Sequence, residues 1–171
     1  MPDMYEKLHQ NYAGCDGLTF LNLAVSDHDG KIAMTRIDPT AITKGLLPEA
    51  VLGMSTTMPE RGVINAPHHN QHFRQTLDQY KRTFDVPCSR LMPLLEQHNV
   101  TKLDLLVIDT EGADWIVAQQ LSLEKYQPRA VLLEYIHLNG QEQIACANHF
   151  RKYGYKIYIQ AESAENFLAL R

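Results

Sequence analysis

Paired cysteines are the first thing missing from this 171-residue chain. Cys15, Cys88 and Cys146 are isolated and odd in number, with no CxxC among them. That argues against a disulfide framework and a cysteine-built zinc site, and points to a reducing compartment. Long apolar runs are also missing: none approaches the ~20 residues needed to span a bilayer. The opening stretch, MPDMYEKLHQ, has no apolar centre and does not read as a secretory signal. A cytoplasmic protein without membrane contact is therefore expected. Basic clusters are lacking too. Lysine and arginine number 16 against 20 acids, a formal net charge of −4. A nucleic-acid groove needs concentrated positive charge, so nucleic acid is not an expected partner. No internal repeat or low-complexity tract appears.

What is present is a foldable composition. Hydrophobic residues make up 44% and charged residues 21%, enough for one domain over residues 1–171 with a buried core. Residues 3–12 have the spacing of a short helix. LTFLNLAVSD reads as a strand ending at Asp27, DHDGK as a hairpin-type turn, and KIAMTRI as a second strand. The stretch from about 38 to 83 holds Pro39, Pro48, Pro59 and Pro67 with little periodicity. It reads as a long loop insertion with short helical pieces, of a length usually functional or mobile.

From residue 84 the pattern becomes regular. FDVPC is a brief strand, and SRLMPLLEQHN a helix with Ser89 as its N-cap. LDLLVID (103–109) is a continuous apolar run, the mark of a strand covered on both faces. ADWIVAQQLSLEKY reads as a helix, RAVLLEYIHL as a buried strand, and GQEQIACANHFRKYG as a helix closed by Gly154. YKIYIQA and ENFLALR finish as strands. Alternation of this kind predicts an α/β, Rossmann-like fold on a mostly parallel sheet with flanking helices. In such sheets ligands bind outside the carboxyl ends of the strands. Asp27, Asp109 and Glu134 all fall at or near those ends. Asp109 and Asp114 could equally serve a helix cap and first turn. Glu134 is harder to assign to a cap, because an acid between VLL and YI on a buried strand is costly unless paired or used.

Taken in order, VPCSRLMPLLEQHNVTKLDLLVIDTEGADWIVAQQL and PRAVLLEYIHL resemble the core of FkbM-type methyltransferases. The residues that carry the resemblance are Ile108, Asp109, Glu111, Gly112 and Asp114, then Pro128, Glu134, His137 and Leu138. LNLAVSDHDGK resembles that family's third strand and turn, and GLLPEAVLGMS its Leu-Pro stretch. The resemblance implies S-adenosylmethionine as cofactor and O-methylation of a small-molecule or sugar-like hydroxyl. It implies Glu111, Glu134 and His137 as catalytic residues, and Ser26, Asp27 and Asp109 as cofactor-binding residues. Asp27 would lie near the adenine and share one cleft with Asp109.

The departures are equally informative. The family's glycine-rich Asp-x-Gly-x-Asn-x-Gly loop and the acid that holds the ribose have no counterpart here. Met92 stands where the family often has Asp, and Val107 where it often has Lys. The chain thus resembles the later two-thirds of such a domain, lacking its first two strands. Weak or absent binding of S-adenosylmethionine is expected for this chain alone, together with self-association through the LLVID strand. Two other functions remain open: a non-catalytic binding or scaffold domain, and a metal-binding protein using His68, His69 and His72. Solvated loop histidines are the simpler reading of that last stretch. His137 reads either as a general base near pH 7 or as a satisfied core histidine, and Trp115 as core packing.

Overall fold

The computed structural model describes residues 2–61, 70–160 and 165–171. The first helix, α1 (Pro2–Asn11), is followed by an irregular stretch to Leu23. Strand β1 is only Ala24–Val25, shorter than the expected LTFLNLAVSD strand. Leu18 and Leu21 are exposed, so burial does not favour a strand there. Strands β2 (Gly30–Ile37) and β3 (Lys81–Ser89) run antiparallel along their whole length. β1 joins the other side of β3, and runs parallel to it. The DHDGK turn therefore does not close a hairpin: β3 lies between the two strands it connects, in the order β1-β3-β2.

Between β2 and β3 stand α2 (Thr40–Thr43), a 3-10 turn at Glu49–Gly53, and α3 (Gln71–Tyr80). α3 is a full ten-residue helix where short pieces were expected, capped by Asn70, whose side chain accepts from the Phe73 N–H. Phe73, Leu77 and Tyr80 pack with Ile37, Ala41, Leu47 and Val51 into a small core of their own. α1 is tied to this half by two 2.8 Å bonds from Arg36 to the Asp3 carboxylate. Arg36 holds the Asp3 pKa down at about 2. A carboxyl whose pKa falls on folding stabilises the protein above its unfolded pKa, and that gain is lost as pH drops through the folded value. Asp3→Asn should therefore cost on the order of 1 kcal/mol at pH 7, water screening the half-exposed acid. The difference should shrink between about pH 4 and pH 2 in urea titrations. A constant difference over that range would mean the pair contributes nothing.

The second half contains α4 (Leu91–Gln97), β4 (Leu105–Ile108), α5 (Asp114–Ala118), β5 (Ala130–Glu134), α6 (Gly140–Lys152), β6 (Lys156–Ile159) and β7 (Asn166–Leu170). Ser89 is not the cap of α4; it belongs to β3, and Arg90 occupies that position. α5 spans five residues, not the fourteen that ADWIVAQQLSLEKY suggested. α6 carries a capping box between Asn139 and Glu142 and ends at Gly154, whose φ of +83° suits glycine. The sheet order is β4-β5-β7-β6, with β4 and β5 adjacent and parallel as expected. β7 returns antiparallel to β5, and β6 antiparallel to β7. Only two of the five strand pairings are parallel, so the fold is mixed α/β in two sheets, and the mostly parallel sheet is not what forms.

One face of this sheet is well covered. Ile108, Val131, Leu133, Phe167 and Ala169 meet Val117, Cys146 and Phe150 from the helices in the main core. On the other face Leu105 and Val107 are 55% and 56% exposed, so β4 is not covered on both sides. Among the described residues β4 pairs with β5 alone, which places it at the sheet edge and not at its centre.

Candidate functional site

The site forms at the carboxyl ends of β4 and β5. After Ile108 the chain turns through Glu111, at φ +54°, and Gly112, at φ +114°. Two left-handed residues in succession reverse the backbone sharply, and Gly112 takes a φ that side chains rarely tolerate. Asp114, with 0% of its surface exposed, holds the turn closed. Its carboxylate accepts from the Gly112 N–H at 3.2 Å and the Thr110 N–H at 3.4 Å. Of the acids in this stretch, Asp114 is the one that serves the backbone, which leaves Glu111 for the site. The Glu111 carbonyl accepts a 2.7 Å bond from Thr56, a buried residue bridged to Thr35 of β2. Thr56 lies in the irregular stretch before α3, where nothing in the sequence distinguishes it.

Glu134 is the last residue of β5, and His137 follows in a tight turn closed by the Leu138 N–H on the Tyr135 carbonyl. The three expected catalytic residues do come together. His137 Nε2 lies 3.5 Å from a Glu111 oxygen and 3.4 Å from a Glu134 oxygen. Contact with Glu111, then with Glu134, holds the His137 pKa up at about 10, against the loss of water around it. A pKa raised in this way favours the charged imidazole at neutral pH. Asp109 stands beside the cluster. Burial, then the Glu134 and Glu111 charges, push its pKa up.

The expected cofactor residues separate. Asp109 lines a cavity of about 110 Å³ with Val107, Leu132 and Glu134, and another of about 260 Å³ with Ala24, Val25 and Thr56. Neither Ser26 nor Asp27 lines either cavity. Ser26 is buried, its hydroxyl donating to Asp27 at 3.2 Å and its carbonyl accepting from Gln120 at 2.9 Å. The Asp27 carboxylate turns outward, 70% exposed, onto His28. That contact lowers its pKa. Among the described cavities none is lined by both Asp27 and Asp109, and the Asp27 carboxylate meets His28. Gln120 was missed by sequence reading; its side chain joins the Ser26 carbonyl to the Leu91 N–H at the start of α4.

His68 and His69 lie outside the described residues, and His72 is exposed in the first turn of α3. Trp115 packs against the main core and meets the His149 ring edge-on at 5.6 Å, as a packing residue would. No described helix is long and apolar enough to cross a membrane.

Comparison with known protein families matches residues 2–158 to the Methyltransferase FkbM domain. No curated protein and no solved structure matches. The match spans most of the chain and includes both turns that build the acidic cluster. The chain belongs to the FkbM methyltransferase-domain family.

Proposed function

We propose that this chain supplies the acceptor side of an S-adenosylmethionine-dependent O-methyl transfer to a small-molecule or sugar-like hydroxyl. The observation that supports it is the convergence of Glu111, Glu134 and His137 at the strand ends. Glu134 Oε2 is buried without a hydrogen-bond partner, which suits a carboxylate that takes a hydroxyl proton. His137, which stands between both acids, orients the acceptor beside them. When bound, the cofactor supplies an electrophilic methyl group.

The residues present fit the acceptor better than the whole cofactor. The cavities beside Asp109 hold about 110 and 260 Å³, below the ~300 Å³ at which ligand pockets usually begin. The same observation favours a second reading, a non-catalytic binding or scaffold domain. Under the first reading a second copy completes the assembly, with the unpaired edge of β4 and its exposed Leu105 and Val107 as the contact.

Calorimetry of the 171-residue chain with S-adenosylmethionine should show binding weaker than micromolar. Micromolar binding would mean the cofactor site is complete. Sedimentation over a concentration series should show self-association, and a monomer throughout would remove the second copy. Labelled methyl transfer to hydroxyl acceptors, lost in Glu134→Gln, separates the enzyme from the scaffold. No transfer at any concentration supports the scaffold.

A further inference from the structure

We infer that Glu111, Glu134 and His137 form a binding site for one first-row divalent cation. One ligand atom from each residue lies within 4.8 Å of the other two. An acidic cluster alone would not carry this, but the histidine adds a separate observation. Its side chain is nine-tenths buried, 10% exposed, and Nε2 has no hydrogen-bond partner although two carboxylates stand near it. Nε2 lies 3.4 and 3.5 Å from those oxygens. Ligands bound to a tetrahedral ion at about 2.1 Å are separated from one another by about 3.4 Å. The spacing is thus that of two edges of a coordination shell, too long for good hydrogen bonds. Glu134 Oε2, also buried and unpartnered, offers the same acid a second donor atom.

The backbone that carries the three groups is constrained. Glu111 sits on the left-handed turn, held by Thr56 through its carbonyl. Glu134 is anchored in β5 against Asn166 of β7. His137 is fixed three residues later by its own turn. Two carboxylates and one imidazole make a mixed oxygen and nitrogen set, which suits Mn²⁺ or Zn²⁺ better than the all-oxygen preference of Mg²⁺. The inference concerns binding and does not rest on methyl transfer.

The test is calorimetry of the full chain, stripped with chelator, titrated with Zn²⁺ and with Mn²⁺. One equivalent should bind either ion, with Mg²⁺ weaker than both. Glu134→Gln and His137→Gln should each weaken binding at least about tenfold. The combined His68→Ala, His69→Ala and His72→Ala variant should leave it unchanged. Because a site variant could misfold, the unaltered chain is read as well: saturating Zn²⁺ should raise its melting temperature. Absence of both heat and melting shift overturns the proposal. Binding that survives Glu134→Gln and His137→Gln, or that the triple histidine variant abolishes, overturns it too.

Discussion

Phe150→Ala should lower the stability of the protein by about 3–5 kcal/mol. Phe150 is fully buried, the inner residue of α6, with Tyr155 edge-on at 5.7 Å and Phe167 tilted at 5.6 Å. Truncation removes the ring from the junction of α6, β6 and β7. None of those elements has another large fully buried group at that point except Phe167 itself. The surroundings can collapse only partly, so the loss includes a cavity as well as the transfer of the ring. Urea unfolding should show a lower midpoint with little change in slope. Ile144→Ala, on the exposed side of the same helix, should stay within about 0.5 kcal/mol. A loss below about 1.5 kcal/mol for Phe150→Ala would mean that the second sheet is not held by α6.

Asp114→Ala should be comparably damaging, at about 2–6 kcal/mol, since two backbone donors lose their acceptor and each costs about 1–3 kcal/mol. The Gly112 and Thr110 N–H groups both point at this carboxylate, and no water reaches a side chain with 0% exposure. Asp114→Asn keeps one acceptor oxygen and should lose less. The turn would also loosen, so Glu111 would no longer be held against His137. Equal losses for Ala and Asn would show that shape matters there, and hydrogen bonding does not.

The parts legible in the sequence are those whose cause is local. The cap at Asn139 with Glu142 three residues later, and Gly154 after the last turn, announce α6 by their chemistry. Phe73, Leu77 and Tyr80 have helical spacing as well, yet the surrounding prolines hid α3. The two acidic turns were legible as a motif, and the three catalytic candidates do meet. Their protonation was not legible. The raised His137 pKa follows from two carboxylates, one on the turn after β4 and one at the end of β5. Pairing was the other blind spot. β1 lies beside β3, with Ala24 opposite Cys88, and no local pattern states so distant a partner. The apolar run in β4 suggested burial on both faces, but neighbours decide that, and Leu105 and Val107 stay more than half exposed.

Having two sheets also has a consequence for how the protein melts. Each sheet has apolar clusters of its own, with Val25 of β1 packing against the main core as well, and among the described residues no strand of one pairs with a strand of the other. Beside the Val25 contact, polar bonds cross the seam: Thr56 to Glu111, Arg61 to Glu142, and Gln120 to Ser26. Polar links of this kind transmit cooperativity poorly, so the β1-β3-β2 sheet can open while the other stays closed. The cavity between Val25 and Asp109 lies on that seam. A molecule that grips both walls would weld the two units, and a broad or double calorimetric transition would sharpen into one. The right ligand could thus be recognised by the shape of a melting curve before its chemistry is known.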